Sequence, residues 1–71
     1  MGKIKELYEL EDIIFQTMEG LYQAYDYKRK DKYKIALASL EILNEEYKQL
    51  TGRLFIEQTR ITDYYSKMWE F

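Results

Sequence analysis

Lys28, Arg29, Lys30, Lys32 and Lys34 put five of the eleven basic residues of the chain within seven positions, and Tyr25, Tyr27 and Tyr33 lie among them. Cations at that density grip phosphates, and tyrosine rings between them can stack on unpaired bases, so the run is a candidate nucleic-acid contact. The same residues also suit a plainer role. Cations complement the negative end of a helix, and charged side chains are what a tight exposed turn ordinarily carries. Asp26 and Asp31 dilute the run in either case.

A second concentration lies at Tyr64-Tyr65-Ser66-Lys67-Met68-Trp69-Glu70-Phe71. Eight Tyr, three Phe and one Trp in 71 residues exceed what so small a core can bury. Tyr, Trp and Met are enriched in the centres of protein interfaces and among the residues that dominate their energetics. Tyr64, Tyr65, Met68 and Trp69 are therefore the candidate protein-binding residues, in contact with the chain's own core, a second copy or a foreign partner.

Enzyme chemistry is poorly supplied. There is no His and no Cys, the serines are Ser39 and Ser66, and no Gly-rich phosphate loop exists. The adjacent acids Glu11-Asp12 and Glu45-Glu46 project about 100° apart on a helix and do not converge. Di-metal sites in bundles pair inward Glu with Glu-x-x-His, and the His is missing. No catalytic, cofactor-binding or metal-ligating residue is assigned, and the expectation is a non-enzyme without cofactor.

A net charge of −2 does not decide for or against nucleic acid, but its distribution is uneven. Glu6, Glu9, Glu11, Asp12 and Glu19 make the first third acidic, opposite in sign to the basic run that follows. An apolar share of 46% argues for a folded chain, and 34% charged residues for a soluble one. No apolar run approaches the roughly 20 residues of a membrane span, and the first residues lack the apolar core of a signal peptide, so the expected compartment is cytoplasmic. At this size one core supplies only about 3–5 kcal/mol, and without Cys or His neither disulfides nor the usual zinc sites can staple it. Oligomerisation is the remaining common remedy, so a homodimer is expected.

The elements that position these residues are helical throughout. Ile4, Leu7, Tyr8, Ile14, Phe15, Met18, Leu21, Tyr22 and Tyr25 share one face of a first helix over about 3–29, with a partial second stripe of Leu10, Ile13, Thr17 and Ala24 beside it. That breadth predicts cover from more than one direction. Gly20 sits mid-helix, either simply tolerated or allowing a close helix contact. With no Pro and no Gly from 21 to 51, the first turn falls in the charged run, with Asp31 as the expected N-cap of a second helix over about 32–50.

From Tyr33 a 3-4 repeat continues through Ala36, Leu40, Leu43, Tyr47, Leu50, Leu54, Ile61, Tyr64, Met68 and Phe71, broken only by Glu57. Thr51-Gly52 interrupts it with opposed signals. Gly is preferred just past a helix end, and Leu50 with Phe55 fits a hydrophobic staple around a Thr51 N-cap. The repeat nonetheless keeps its phase across the site. Two all-α architectures follow from the two readings. In one, a third helix over about 53–70 folds back as a three-helix bundle and covers the spare face of the first. In the other, a continuous second arm of roughly 58 Å overhangs its partner and dimerises. Arg53 with Glu57 and Asp63 with Lys67 stand at i,i+4, suiting exposed helix faces.

Ala24, Tyr27, Tyr33, Ala36 and Leu40 resemble in spacing a single tetratricopeptide repeat, a helix-turn-helix unit used for protein binding, over about half the chain. The pattern departs at Gly20, Gln23, Leu43 and Lys48, where Trp, Leu, Ala and Pro would be usual, and a lone repeat lacks the neighbours that bury it. The expected function is a helical protein-interaction module: an adaptor, inhibitor or small regulator, of the kind common among viral and mobile-element proteins. The alternative is a nucleic-acid-binding regulator that uses Lys28 to Lys34.

Overall fold

The computed structural model describes the backbone from Gly2 to Phe71 and side chains from Lys5 onward. The chain is all-α: α1 spans Gly2–Asp26, α2 spans Lys30–Thr51, α3 spans Gln58–Lys67, and a 3-10 turn over Met68–Glu70 ends it. Helices α1 and α2 form an antiparallel hairpin, and α3 returns along α2 toward the turn. The whole measures 43 × 20 × 13 Å.

The first turn is tighter than the charge run suggested. The Arg29 N–H reaches back to the Ala24 carbonyl (2.8 Å) and the Lys28 N–H to that of Tyr25 (3.1 Å), the paired bonds of a Schellman ending. Lys28 occupies the left-handed position that Gly usually fills, at φ 55°. Helix α1 therefore stops at Asp26, before the basic residues that were expected to cap its end. Asp31 is not an N-cap either. It lies inside the first turn of α2, where its charge favours the positive helix end, and Arg29 takes the cap position without a side-chain bond.

Gly52 settles the second break. Its φ of 81° is left-handed and its N–H bonds the Lys48 carbonyl at 2.7 Å, so α2 ends there and the continuous-arm alternative is excluded. Thr51 is the last residue of α2 and caps nothing ahead of it. Its hydroxyl lies 2.9 Å from the Tyr47 carbonyl and accepts from the Arg53 N–H at 3.3 Å. The expected Leu50–Phe55 staple is absent as such, because Leu50 is half exposed while Phe55 packs edge-on against Phe15 and Tyr47 at centroid distances of 5.3 and 5.0 Å. Residues 52 to 57 are non-helical, which moves the start of α3 to Gln58 and takes Arg53 off any helix. Glu57, the one break in the repeat, is the exposed residue at the head of α3.

The core is a single cluster of Leu10, Ile14, Leu21, Ala24, Tyr33, Leu37, Leu40, Ile56, Ile61 and Tyr64. Each fully buried aliphatic chain contributes roughly 1.5–3 kcal/mol. On α2 the buried line runs Tyr33, Leu37, Leu40, Asn44, with Ala36, Leu43 and Tyr47 at its margin, a phase shifted by one residue from the expected stripe. On α1 the two expected stripes share the burial: Leu10 and Ala24 go under with Ile14 and Leu21, whereas Tyr8, Ile13, Phe15 and Tyr22 stay largely exposed.

Asn44 is the polar member of that core. Its Oδ1 accepts the N–H groups of Phe55 and Ile56, both at 3.0 Å, and its Nδ2 donates to the Ile56 carbonyl at 2.9 Å. One amide thus satisfies three backbone groups of the loop and seats Ile56 in the core. Among the described residues no buried side-chain polar atom lacks a partner.

Helix α3 covers α1 only in part, through side chains near the turn end. No Cα of α3 comes within 8 Å of one in α1, and long side chains span the gap. Tyr22 and Tyr64 share a hydrogen bond of 2.8 Å, the Tyr33 hydroxyl donates to the Tyr64 carbonyl, and that of Tyr25 to the Glu70 carboxylate. Phe71 closes the turn end against Tyr25 and Tyr33 at centroid distances of 5.7 and 5.2 Å. The C-terminal segment is thus held at both ends by aromatic clusters, each pair adding about 0.5–1.5 kcal/mol beyond its buried area. Gly20 mediates no close contact, for a Cβ built there would meet nothing within 4 Å.

Candidate interaction cleft

Lys30 and Lys34 are four residues apart, so both project from the same side of the first turns of α2. The return of α3 brings Tyr65, Met68 and Trp69 opposite them, and these five residues line a cleft of about 370 Å³. The two concentrations separated by some thirty positions in sequence meet here. The walls are apolar and aromatic, and one lip carries two ammonium groups.

Each wall residue is held differently. The Tyr65 hydroxyl donates to Glu41 Oε2 at 2.7 Å, which pins the ring beside α2 and, with partial burial, raises its pKa. Met68 is half-buried against the core. Trp69 is 87% exposed on the 3-10 turn, so none of the described residues covers its indole. Tyr64, expected on the binding surface, is instead a core residue at 6% exposure. Burial and the bond to Tyr22 push its phenol up to about 12.

Lys28, Arg29, Lys30 and Lys32 line one open depression at the turn together with Asp31, and each also borders another surface, while Lys34 stands outside that depression. Lys28 sits beside Tyr25, Asp26, Glu70 and Phe71 at the tip. Arg29 and Lys32 face a separate groove between α1 and α2. Only Lys30 and Lys34 join the aromatic cleft. They point in different directions because Lys28 is left-handed, Arg29 is the cap of α2, and Lys30, Lys32 and Lys34 fall on a helix that rotates 100° per residue.

Asn44 and Leu37 organise the fold that presents this cleft, and neither was singled out by the 3-4 pattern. Leu37 lies one position from Ala36 on the expected stripe, and Asn44 reads as an ordinary surface amide until its four-residue spacing from Leu40 is noticed. The pairing of Lys30 and Lys34 with Trp69 left no local signal, since it depends on where α3 returns. No family model matches the chain, and neither a curated protein nor a solved structure does. No helix of the described residues is long and apolar enough to cross a membrane.

Proposed function

We propose that this is a non-enzymatic helical protein-interaction module, an adaptor or small regulator, that docks a segment of another protein in the cleft of Tyr65, Met68, Trp69, Lys30 and Lys34. The carrying observation is the 87% exposed Trp69 at the edge of a cleft with two lysines on one lip. An exposed indole beside a concave apolar surface is the kind of residue that dominates interface energetics. The lysines select for carboxylates, so the partner segment carries a bulky apolar anchor flanked by Asp or Glu.

Selection from a phage-displayed random peptide library tests this. The expected enriched peptides are apolar-acidic, and they lose affinity for Trp69→Ala and for Lys30→Glu/Lys34→Glu while both variants keep wild-type helicity. Enrichment that neither variant diminishes would place binding elsewhere and refute the reading.

A second reading rests on the same cleft: the indole stacks on a base while Lys30 and Lys34 hold phosphate. Fluorescence anisotropy of labelled single-stranded DNA and RNA at about 50 and 200 mM salt separates the two. Binding that falls steeply with salt and vanishes in Trp69→Ala supports nucleic acid; no binding at the lower salt leaves the protein partner.

A further inference from the structure

On the side of the hairpin away from the cleft, α2 carries a second stripe of Lys32, Ile35, Ser39, Ile42 and Glu46, spaced 3, 4, 3 and 4. Ile35 is 67% exposed and Ile42 62%, an unusual place for two isoleucines on an amphipathic helix. Beside them runs an open groove of about 600 Å³ between the helices, lined by α1, α2 and the turn that joins them, with the small residues Gly20, Ala24, Ala36 and Ser39 along it.

Charge identifies the occupant. The stripe begins on a cation and ends on an anion, with Lys32 and Glu46 each seven residues from Ser39 and all three on one edge of the helix. The hairpin repeats this polarity. Its turn end carries Arg29 and Lys32, and its open end carries Glu9 and Asp12 of α1 and Glu46 of α2. A surface positive at one end and negative at the other complements itself when turned end for end, the condition for an isologous two-fold contact.

We propose that this face pairs with the same face of a second copy of the chain, the two α2 helices antiparallel about a two-fold axis at Ser39. Lys32 of one copy then meets Glu46 of the other, twice by symmetry. Ile35 meets Leu43, and Ile42 meets Ala36, forming a four-helix layer of the kind sealed by knobs-into-holes packing. The cleft at Trp69 lies on the other side and stays open in the dimer.

Sedimentation equilibrium in the micromolar range is the test, with circular dichroism to show that each variant folds. The wild-type chain is expected to be a dimer, weakened by salt. Lys32→Glu alone and Glu46→Lys alone each place like charges together twice and should raise the dissociation constant at least about tenfold. The double swap Lys32→Glu/Glu46→Lys should restore the dimer. Ile35→Asp should leave only monomer, and Trp69→Ala should change nothing. A monomeric wild-type chain, singles that dimerise as well as wild type, or a double swap that fails to restore the dimer would each overturn the proposal.

Discussion

Asn44 is the residue whose replacement most sharply tests how the fold is fixed. Its amide serves three backbone groups, Phe55 N–H, Ile56 N–H and Ile56 C=O, inside a region where water is scarce. Asn44→Leu has nearly the same volume but orphans all three, each unpaired group costing about 1–3 kcal/mol if it stays buried. The loop will open to water in part, so a loss of at least about 2 kcal/mol is expected from urea unfolding, a large share of the stability of so small a domain. Asn44→Asp is the finer probe. It keeps the acceptor for the two N–H groups but turns an oxygen toward the Ile56 carbonyl, so it should fall between wild type and Asn44→Leu. Equal stability of all three would mean that the loop is seated by Ile56 and Phe55 alone.

At the scale of elements, both breaks use left-handed residues, but only one uses Gly. Lys28 at φ 55° bears a Cβ in a conformation that costs roughly 1–2 kcal/mol relative to the right-handed region. Lys28→Gly removes that cost but adds unfolded-state freedom, leaving a net gain of about 0.5–1 kcal/mol. Gly52→Ala runs the other way. The Cβ meets no atom within 4 Å, so its whole effect is the φ of 81°, a loss of about 1 kcal/mol. Thermal unfolding of the two single variants should therefore shift in opposite directions. A shift in one direction for both would show that the turns relax away from these dihedrals.

The whole molecule is a hairpin with a third segment fastened across it by phenols, which links stability to alkaline pH. Tyr64 ionises only at about 12 when folded, chiefly because burial disfavours its phenolate. Burial raises Tyr33, and bonds to Glu70 and Glu41 raise Tyr25 and Tyr65. The sign follows from proton counting. Above the ordinary phenol value of 10.0 the unfolded chain releases protons that the folded chain still holds, so folding loses stability as pH rises from there toward about 12. Below 10.0 this contribution is fully present and independent of pH. Urea midpoints should be unaffected by these groups up to about pH 9 and then fall steeply. Tyr64→Phe, which has no phenol to ionise, should flatten part of that fall; an unchanged slope would remove Tyr64 from the fastening.

Much of this was legible in the sequence, and the exceptions have physical causes. The helical period of Leu10, Ile14 and Leu21 on α1 and of Tyr33, Leu40, Ile61 and Tyr64 later in the chain is a local property, since residues three and four apart must share a face. It fixes the all-α class without any knowledge of neighbours. Gly52 was visible as a helix end because left-handed backbone favours Gly, although the unbroken phase of the repeat argued against it. Lys28 was not visible, because a lysine at a left-handed position has no compositional signature. Asp31 misled for a related reason: a good capping residue two positions past the true cap is indistinguishable from the cap in sequence.

What the sequence by itself determined is the all-α class and amphipathic character of the helices, the turn near the basic run, and the excess of aromatic residues. The tertiary structure alone decided which aromatics are core and which are surface. Tyr64 and Trp69 are five residues apart in one segment, yet one is sealed by Tyr22 and Tyr33 and the other stands in solvent. It also set two cations of the basic run, Lys30 and Lys34, opposite Trp69. Periodicity is a short-range rule about which residues share a face. Which face meets which neighbour depends on where the chain turns back, here on Gly52 and on the one hydrogen bond that Asn44 donates and the two it accepts.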